Sequence, residues 1–167
     1  VFFIPNPKKP DEFWGNDMGR DLLGDELPPD ELNIIPTQGD PPGDYGWPNC
    51  YGANIHDTQF DTSIYKRNPC QEPTEHGTLY DYPAHHAPLG LRFIPENVGW
   101  PTDWEGDLLV AWHGSWNRSE KAGYKVVRLQ LDDSQKVVAV HDFLTGFLQR
   151  EDEVIGRPVD LLFAPDG

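Results

Sequence analysis

The sequence predicts an all-β fold, built from antiparallel meanders of the kind that form propeller blades. Three observations carry this. Helical periodicity is nearly absent, and the apolar runs are short and β-rich. Four such runs follow one another between Leu91 and Phe143, separated by turn signals. A weak repeat recurs as Phe3-Ile4-Pro5-Asn6, Phe93-Ile94-Pro95-Glu96 and Phe163-Ala164-Pro165-Asp166, each an apolar strand ending at Pro before an acid or amide. A β-sandwich is the alternative that the same pattern leaves open.

Taken in order, Val1 to Ile4 reads as a strand and Phe13-Trp14-Gly15-Asn16 as its return. Leu91 to Ile94 and Asp107 to Trp112 are short apolar runs that read as strands. Tyr124 to Leu131 alternates like a half-buried strand, and Lys136 to Phe143 follows it. Pro95-Glu96-Asn97, Gly114 to Gly123 and Asp132-Asp133-Ser134 are the turns between them. One blade is therefore expected over residues 1–83, swollen by an insertion over 38–78. A second is expected over 90–143, and the start of a third over 157–167. Both ends read as cut through structure, Pro165-Asp166-Gly167 being a hairpin turn without its second strand, so a piece of a longer protein is expected.

The chain has 167 residues, with 13 Lys and Arg against 28 Asp and Glu, a formal net charge of −15. That surface repels phosphate backbones and anionic lipid heads, which speaks against nucleic-acid and membrane-surface partners. No apolar run reaches the roughly 18 residues of a membrane-spanning helix. The aromatic share of 12% is too high for a disordered chain, despite 17 prolines and 16 glycines. Cys50 and Cys70 do not form a CxxC pair, and two cysteines alone do not make a zinc site. A disulfide between them is the reading preferred over two free thiols, and it requires an oxidising compartment.

The densest chemistry lies between Gly15 and Asn33, where six carboxylates are interleaved with glycines. Hard cations take six to eight oxygens, often backbone carbonyls of such loops, so calcium is a candidate. The EF-hand spacing is absent, and a solvated acidic loop is the plainer reading.

This stretch, with Trp14-Gly15-Asn16-Asp17-Met18-Gly19, Asp30-Glu31-Leu32-Asn33 and Tyr45-Gly46-Trp47-Pro48, resembles the soluble quinoprotein glucose/sorbosone dehydrogenases. Pro83 to Leu91, Ala111 to Arg118 with Gly123 to Arg128, and Gly156 to Gly167 are similar to the sorbosone-dehydrogenase-like branch. The resemblance implies a six-bladed propeller that binds pyrroloquinoline quinone (PQQ) and calcium and oxidises a sugar hydroxyl or hydrated aldehyde. It also implies a periplasmic or extracellular protein. Its general base is a histidine of an earlier blade, matched by no residue here, so His85, His86 and His113 are not given that role and no catalytic residue is expected in this chain.

By the same resemblance, Gly19 and Arg20 offer backbone carbonyls to the cofactor calcium, although Met18 replaces the family's Gln. Asp30 and Glu31 align with an acid pair near the cofactor and a structural calcium. Tyr82 falls where an aromatic stacks on the quinone, and reads equally as core packing. Arg157 falls where an arginine meets a cofactor carboxylate. Because the cofactor is a tricarboxylate, Arg20 and Arg118 are further candidates for bidentate pairing, each with a surface ion pair as the plainer reading. His85 and His86, read as strand neighbours, are expected to point one into the pocket and one out. The expected partners are a sugar substrate and the remaining blades. A non-catalytic propeller serving a larger assembly is the competing function.

Overall fold

The computed structural model describes residues 2–38, 43–71, 76–150 and 153–164. Val1 and Pro165-Asp166-Gly167, part of the first predicted strand and the terminal hairpin turn, lie outside the described residues.

Among the described residues the strands are β1 (Phe2–Asn6), β2 (Lys9–Asp17), β3 (Asp30–Pro36), β4 (Cys50–Tyr51), β5 (Ile55–His56), β6 (Tyr80–Tyr82), β7 (Pro88–Phe93), β8 (Leu108–Trp112), β9 (Lys125–Leu131), β10 (Val137–Leu144), β11 (Leu148–Arg150) and β12 (Glu153–Val154). Single 3₁₀ turns at Pro69–Gln71 and Thr102–Trp104 are the helical elements among the described residues. Two four-stranded antiparallel sheets result, in the orders β1-β2-β3-β6 and β10-β9-β8-β7. Two-stranded ribbons β4-β5 and β11-β12 accompany them.

The sheets meet across one core. Trp14, Leu32 and Tyr82 of the first pack with Leu91, Leu108, Val110, Trp112, Val127 and Leu129 of the second. Trp14 meets Phe93 edge-on at 5.1 Å, and Tyr82 meets Trp112 at 5.9 Å. Each such large side chain contributes roughly 1.5–3 kcal/mol through burial. Strand β8 is buried at every position, as its unbroken apolar run requires. Its outer face is covered by Ile94, Trp100, Trp104 and Phe163 around Leu109 and Val126. Phe3 is 61% exposed and packs on Phe13, so it does not face Phe93 across a sandwich.

Residues 157–164 hold no strand among the described residues. They run along the second sheet, tied by the Gly90 N–H donating to the Val159 carbonyl at 2.8 Å. Gly90 permits this approach, since a Cβ there would lie 2.5 Å from the Asp160 Cα. The sheets are also joined at their turns. Asn6 and Gln135 exchange two side-chain hydrogen bonds, at 2.9 and 3.0 Å, with both residues buried.

Among the described residues no helix is long and apolar enough to cross a membrane. Cys50 and Cys70 are bridged, with Cα atoms 5.8 Å apart and a separation of 20 residues.

Candidate functional site

The first sheet spreads its polar residues over two faces. Adjacent strand residues point to opposite sides, so Asp30 and Glu31 serve different pockets. Asp30 lines a cavity of about 460 Å³ together with Gly19, His85, His113, Trp116 and Arg157. Glu31 lines a small pocket of about 60 Å³ with Arg20, Tyr45, Trp47 and Asp57.

Asp30 is 1% exposed. Its Oδ1 accepts the Gly19 N–H at 2.9 Å, and its Oδ2 accepts the Ala87 N–H at 2.8 Å. Burial pushes its pKa up to about 6, against the pull of these two donors. Position 19 must be glycine for this arrangement, since a Cβ would come within 2.6 Å of the Pro29 carbonyl oxygen.

Arg157 closes the other side of the same cavity. Its guanidinium donates to the Gly114 carbonyl at 2.7 Å, the Ser115 carbonyl at 3.4 Å and the Tyr124 hydroxyl at 3.1 Å. It also lies over the Tyr124 ring, 4.7 Å from the centroid. Every one of these partners is neutral. Among the described residues no carboxylate lies within ion-pair distance of Arg157. The guanidinium is held in place with no carboxylate partner among the described residues.

Arg157 and Trp116 also line a second, larger cavity of about 910 Å³. Arg118, Lys121, Tyr124 and Arg150 stand around it. Trp116 is 71% exposed.

The structure brings Gly19, Asp30 and Arg157 to one cavity and corrects the expectations for three other residues. Tyr82 sits at the same end, paired across strands with Asp30. Its ring, however, is 1% exposed, wedged among Tyr80 and Trp112, with its hydroxyl donating to Asn16 Oδ1 at 2.9 Å. It therefore offers no free face for stacking on a quinone, because the core holds both sides of the ring. Arg20 turns away to Asp57, making a bidentate contact at 2.6 and 3.1 Å, and its charge is met there. Arg118 pairs with Glu26 at 2.8 Å and donates further to the carbonyls of Asp25, Ala84 and Glu120. It clamps the 25–26 turn, so its donors are consumed within the fold.

His85 and His86 are not strand neighbours. His85 lies in a turn with φ of 64°, and its Nε2 faces the carbonyls of Gly24 and Leu27 at 2.8 and 3.0 Å. His86 packs edge-on against Trp112 at 4.7 Å. Burial lowers its pKa, with Arg118 and Lys125 adding to the effect.

Sequence reasoning missed Asp57 and Asn33. Asp57, buried at 2%, holds Arg20 and also accepts the N–H groups of Gln59 and Phe60. The run Asp57-Thr58-Gln59-Phe60 carries the Asx-turn signal that could have located it. Asn33 is 6% exposed and donates to Glu31 Oε2 at 3.0 Å, while its Oδ1 has no hydrogen-bond partner. Glu31 takes a second hydrogen bond from the Gly52 N–H at 2.6 Å. It stands between Asp17 and Asp81 on the neighbouring strands, which, after burial itself, raise its pKa. Among the described residues no group of three or more His, Cys, Asp or Glu is arranged to hold a metal unaided.

Known proteins are similar to this chain in sequence and in fold. A protein of Borreliella burgdorferi described as uncharacterized is 36% identical over 157 residues, spanning 93% of this chain and 39% of its own length. The pyrroloquinoline quinone-dependent pyranose dehydrogenase of Coprinopsis cinerea is 30% identical over 152 residues, spanning 73% of this chain and 20% of its own length. Among solved structures, the calcium structure of the Trichoderma reesei carbohydrate-active enzyme of family AA12 superposes with a TM-score of 0.70. It is 21% identical, and the match covers 100% of this chain and 47% of that one. At that identity the likeness is one of fold, and the fold is a β-propeller. The chain thus spans less than half the length of each of these relatives. The TrAA12-like pattern matches residues 14–149, a stretch that runs from Trp14 in the core past Asp30 and both histidines to the edge of the larger cavity, and on that match the chain belongs to the TrAA12-like family.

Proposed function

We propose that this chain supplies part of the cofactor site of a PQQ-dependent sugar dehydrogenase, of glucose/sorbosone type, in the periplasm or outside the cell. The observation that carries the reading is the guanidinium of Arg157, without a carboxylate partner among the described residues and braced by neutral acceptors at a cavity of about 460 Å³. A carboxylate of the quinone fits such a group, since charge-assisted pairing is the strong form of hydrogen bond. The family match and the named cofactor of the Coprinopsis relative support it. When bound, the quinone supplies the two-electron acceptor for hydride leaving the sugar carbon, and the hydroxyl proton passes to a base outside this chain. The residues here bind and orient. Arg157 fixes a carboxylate, and Asp30 holds the Gly19 and Ala87 backbone in register with it.

Calcium fits a second place. The unpartnered Oδ1 of buried Asn33 stands beside the Glu31 carboxylate, flanked by Asp17 and Asp81. Hard cations take such mixed oxygen sets, and one there would relieve like charges set directly opposite one another. Calcium also appears in the description of the Trichoderma structure. The Cys50–Cys70 bridge supports an oxidising compartment.

The test is calorimetry of the full-length protein with PQQ and calcium. Arg157→Gln is expected to weaken quinone binding roughly tenfold or more, the worth of one charge-assisted contact. Arg20→Gln is expected to leave it unchanged, because Arg20 is spent on Asp57. A full-length protein that shows no calcium-dependent quinone binding defeats this reading. The non-catalytic assembly subunit would then take its place, a reading that Met18 in the position of the family's Gln favours.

A further inference from the structure

We infer that His85 and His113 are the residues of this chain that read the hydroxyl groups of the sugar. Each presents a bare ring nitrogen to the cavity that Arg157 closes, and the ligand end that meets them is an uncharged polyol. This rests on the quinone-site reading above and adds to it the residues that select the substrate.

A neutral imidazole carries one N–H and one lone pair, and the nitrogen that faces an acceptor must hold the proton. The Nε2 of His85 lies 2.8 Å from the Gly24 carbonyl and 3.0 Å from the Leu27 carbonyl. A carbonyl only accepts, so Nε2 is the donor and the lone pair falls on Nδ1. His113 is the mirror case. Its Nδ1 lies 3.0 Å from the Pro158 carbonyl, so Nδ1 donates and the lone pair falls on Nε2.

Neither lone pair is spent inside the fold. Among the described residues, His85 Nδ1 and His113 Nε2 make no hydrogen bond. Nor are they sealed in. Among the described residues, the buried side-chain atoms left without a partner are Trp14 Nε1, Asn33 Oδ1, Trp112 Nε1 and Asn117 Oδ1. Both histidines line the cavity of about 460 Å³, and His85 is otherwise enclosed, being 5% exposed. Its free nitrogen therefore opens onto that cavity.

One backbone frame sets both rings. The His113 N–H donates to the Ala87 carbonyl and the Gly114 N–H to the His86 carbonyl, each at 3.0 Å. The Ala87 N–H in turn is held by Asp30, and the Gly114 carbonyl by Arg157. His85 and Ala87 have φ of 64° and 53°, a region that a residue with a Cβ occupies only where its surroundings hold it. Such corners gather where a side chain has to be aimed at a ligand.

The cavity is thereby divided by chemistry. Arg157 offers donors on one side, and the two imidazoles offer acceptors beside the Asp30 carboxylate. Lone pairs repel a carboxylate or a phosphate, whereas a hydroxyl group donates into them. A site built to pair a hydroxyl rejects the analogue that lacks it, because the enclosed acceptor is then left unmatched.

The experiment is calorimetry of the full-length protein with glucose, galactose and the 2-deoxy and 3-deoxy forms of each, with PQQ titrated separately. At least one deoxy sugar is expected to bind roughly fivefold or more weakly than its parent, the worth of one neutral hydrogen bond. Two substitutions separate the lone pairs from the framework. A glutamine amide reaches the place of Nε2, and an asparagine amide that of Nδ1. His85→Gln thus keeps a donor for the Gly24 and Leu27 carbonyls and lacks the Nδ1 acceptor. His113→Asn keeps the donor for Pro158 and lacks the Nε2 acceptor. Each is expected to lose the discrimination at one hydroxyl while still binding PQQ. His85→Asn, which abandons the 24–27 turn and keeps an acceptor, is expected to melt lower and still discriminate. Unchanged discrimination in His85→Gln and in His113→Asn overturns the inference and leaves the quinone reading standing. So does an unsubstituted protein that binds PQQ and treats parent and deoxy sugars alike. Loss of PQQ binding in either variant also overturns it, since those nitrogens would then belong to the cofactor. An unsubstituted protein that binds no PQQ overturns both readings.

Discussion

The first sheet closes with a strand fetched from far along the chain, whereas the second is wound from four strands in direct succession. Between β3 and β6 the chain leaves at Pro36 and returns at Tyr80, and the loop between carries the disulfide. The second sheet runs β7, β8, β9, β10 without such a detour. Their interiors differ in the same sense. Buried Asn16, Asp30, Glu31 and Asn33 all lie on the first sheet, while the second buries chiefly aliphatic and aromatic side chains, with the Asp107–Arg128 pair and Gln135 of the β9–β10 turn among its polar exceptions. The sheet assembled from distant pieces carries the polar chemistry, and the locally wound one gives it a wall to stand against. Local pairing forms with little loop-closure cost, while distant pairing needs a separate device to hold it.

The sharpest way to separate these roles is to damage each sheet alone. Leu129 is fully buried in the shared core. Leu129→Ala is expected to destabilise the protein by about 2–5 kcal/mol, the cost of lost burial plus a cavity. Read by denaturant melts, the loss should be global. If it is confined to the second sheet in hydrogen exchange, the two sheets do not share one cooperative core.

The first sheet should fail differently. Its loop reaches back through the Gly52 N–H to Glu31 and the Ala53 N–H to Asp81. Cys50→Ala with Cys70→Ala is expected to cost roughly 3 kcal/mol by loop entropy. Hydrogen exchange should show protection falling first at Gly52 and Ala53, with β8 and β9 unchanged. Uniform loss of protection would mean that the loop stabilises the whole molecule rather than its own sheet.

The smallest effect is at the seam. His86 packs against Trp112, with a pKa below the ordinary 6.5. The unfolded chain therefore takes up the proton first as pH falls. The stability that His86 contributes is complete above about 6.5 and is lost as pH drops through its folded value. His86→Gln is expected to flatten the decline in stability between about pH 7 and about pH 5. An unchanged slope would assign the pH response to other groups.

The strands of the second sheet were legible because apolar runs and alternation need no partner to be seen. Leu108–Trp112 reads as a strand from its apolar run, and Lys125–Leu131 as a strand from its alternation. The disulfide was legible from the position of two cysteines in one loop-rich stretch. Tyr82 shows where reading stops. An aromatic that packs inside a core and one that presents a face to a ligand have the same neighbours in sequence, and only the Asn16 contact and the flanking rings decide between them. Among the three arginines the resemblance had already set Arg157 ahead of Arg20 and Arg118, but not for a reason visible in the local sequence. What distinguishes Arg157 is the absence of a carboxylate partner among the described residues, and partners such as Asp57 for Arg20 lie too far along the chain to be paired by eye. The histidine pair divides as expected, His85 lining the cavity and His86 packing on Trp112, but through a corner at the positive φ of His85 and not through strand alternation.

The reciprocal amide pair of Asn6 and Gln135 has one further consequence. It joins the two sheets through groups that neither gain nor lose a proton and that bear no formal charge. In brine the attraction between exposed partners such as Lys9 and Glu12 is screened away, and in acid their carboxylates fall silent. The amide clasp is indifferent to both. For so acidic a protein, the joint between the two sheets thereby keeps its hydrogen bonds under changes of salt and acidity that its surface pairs do not withstand.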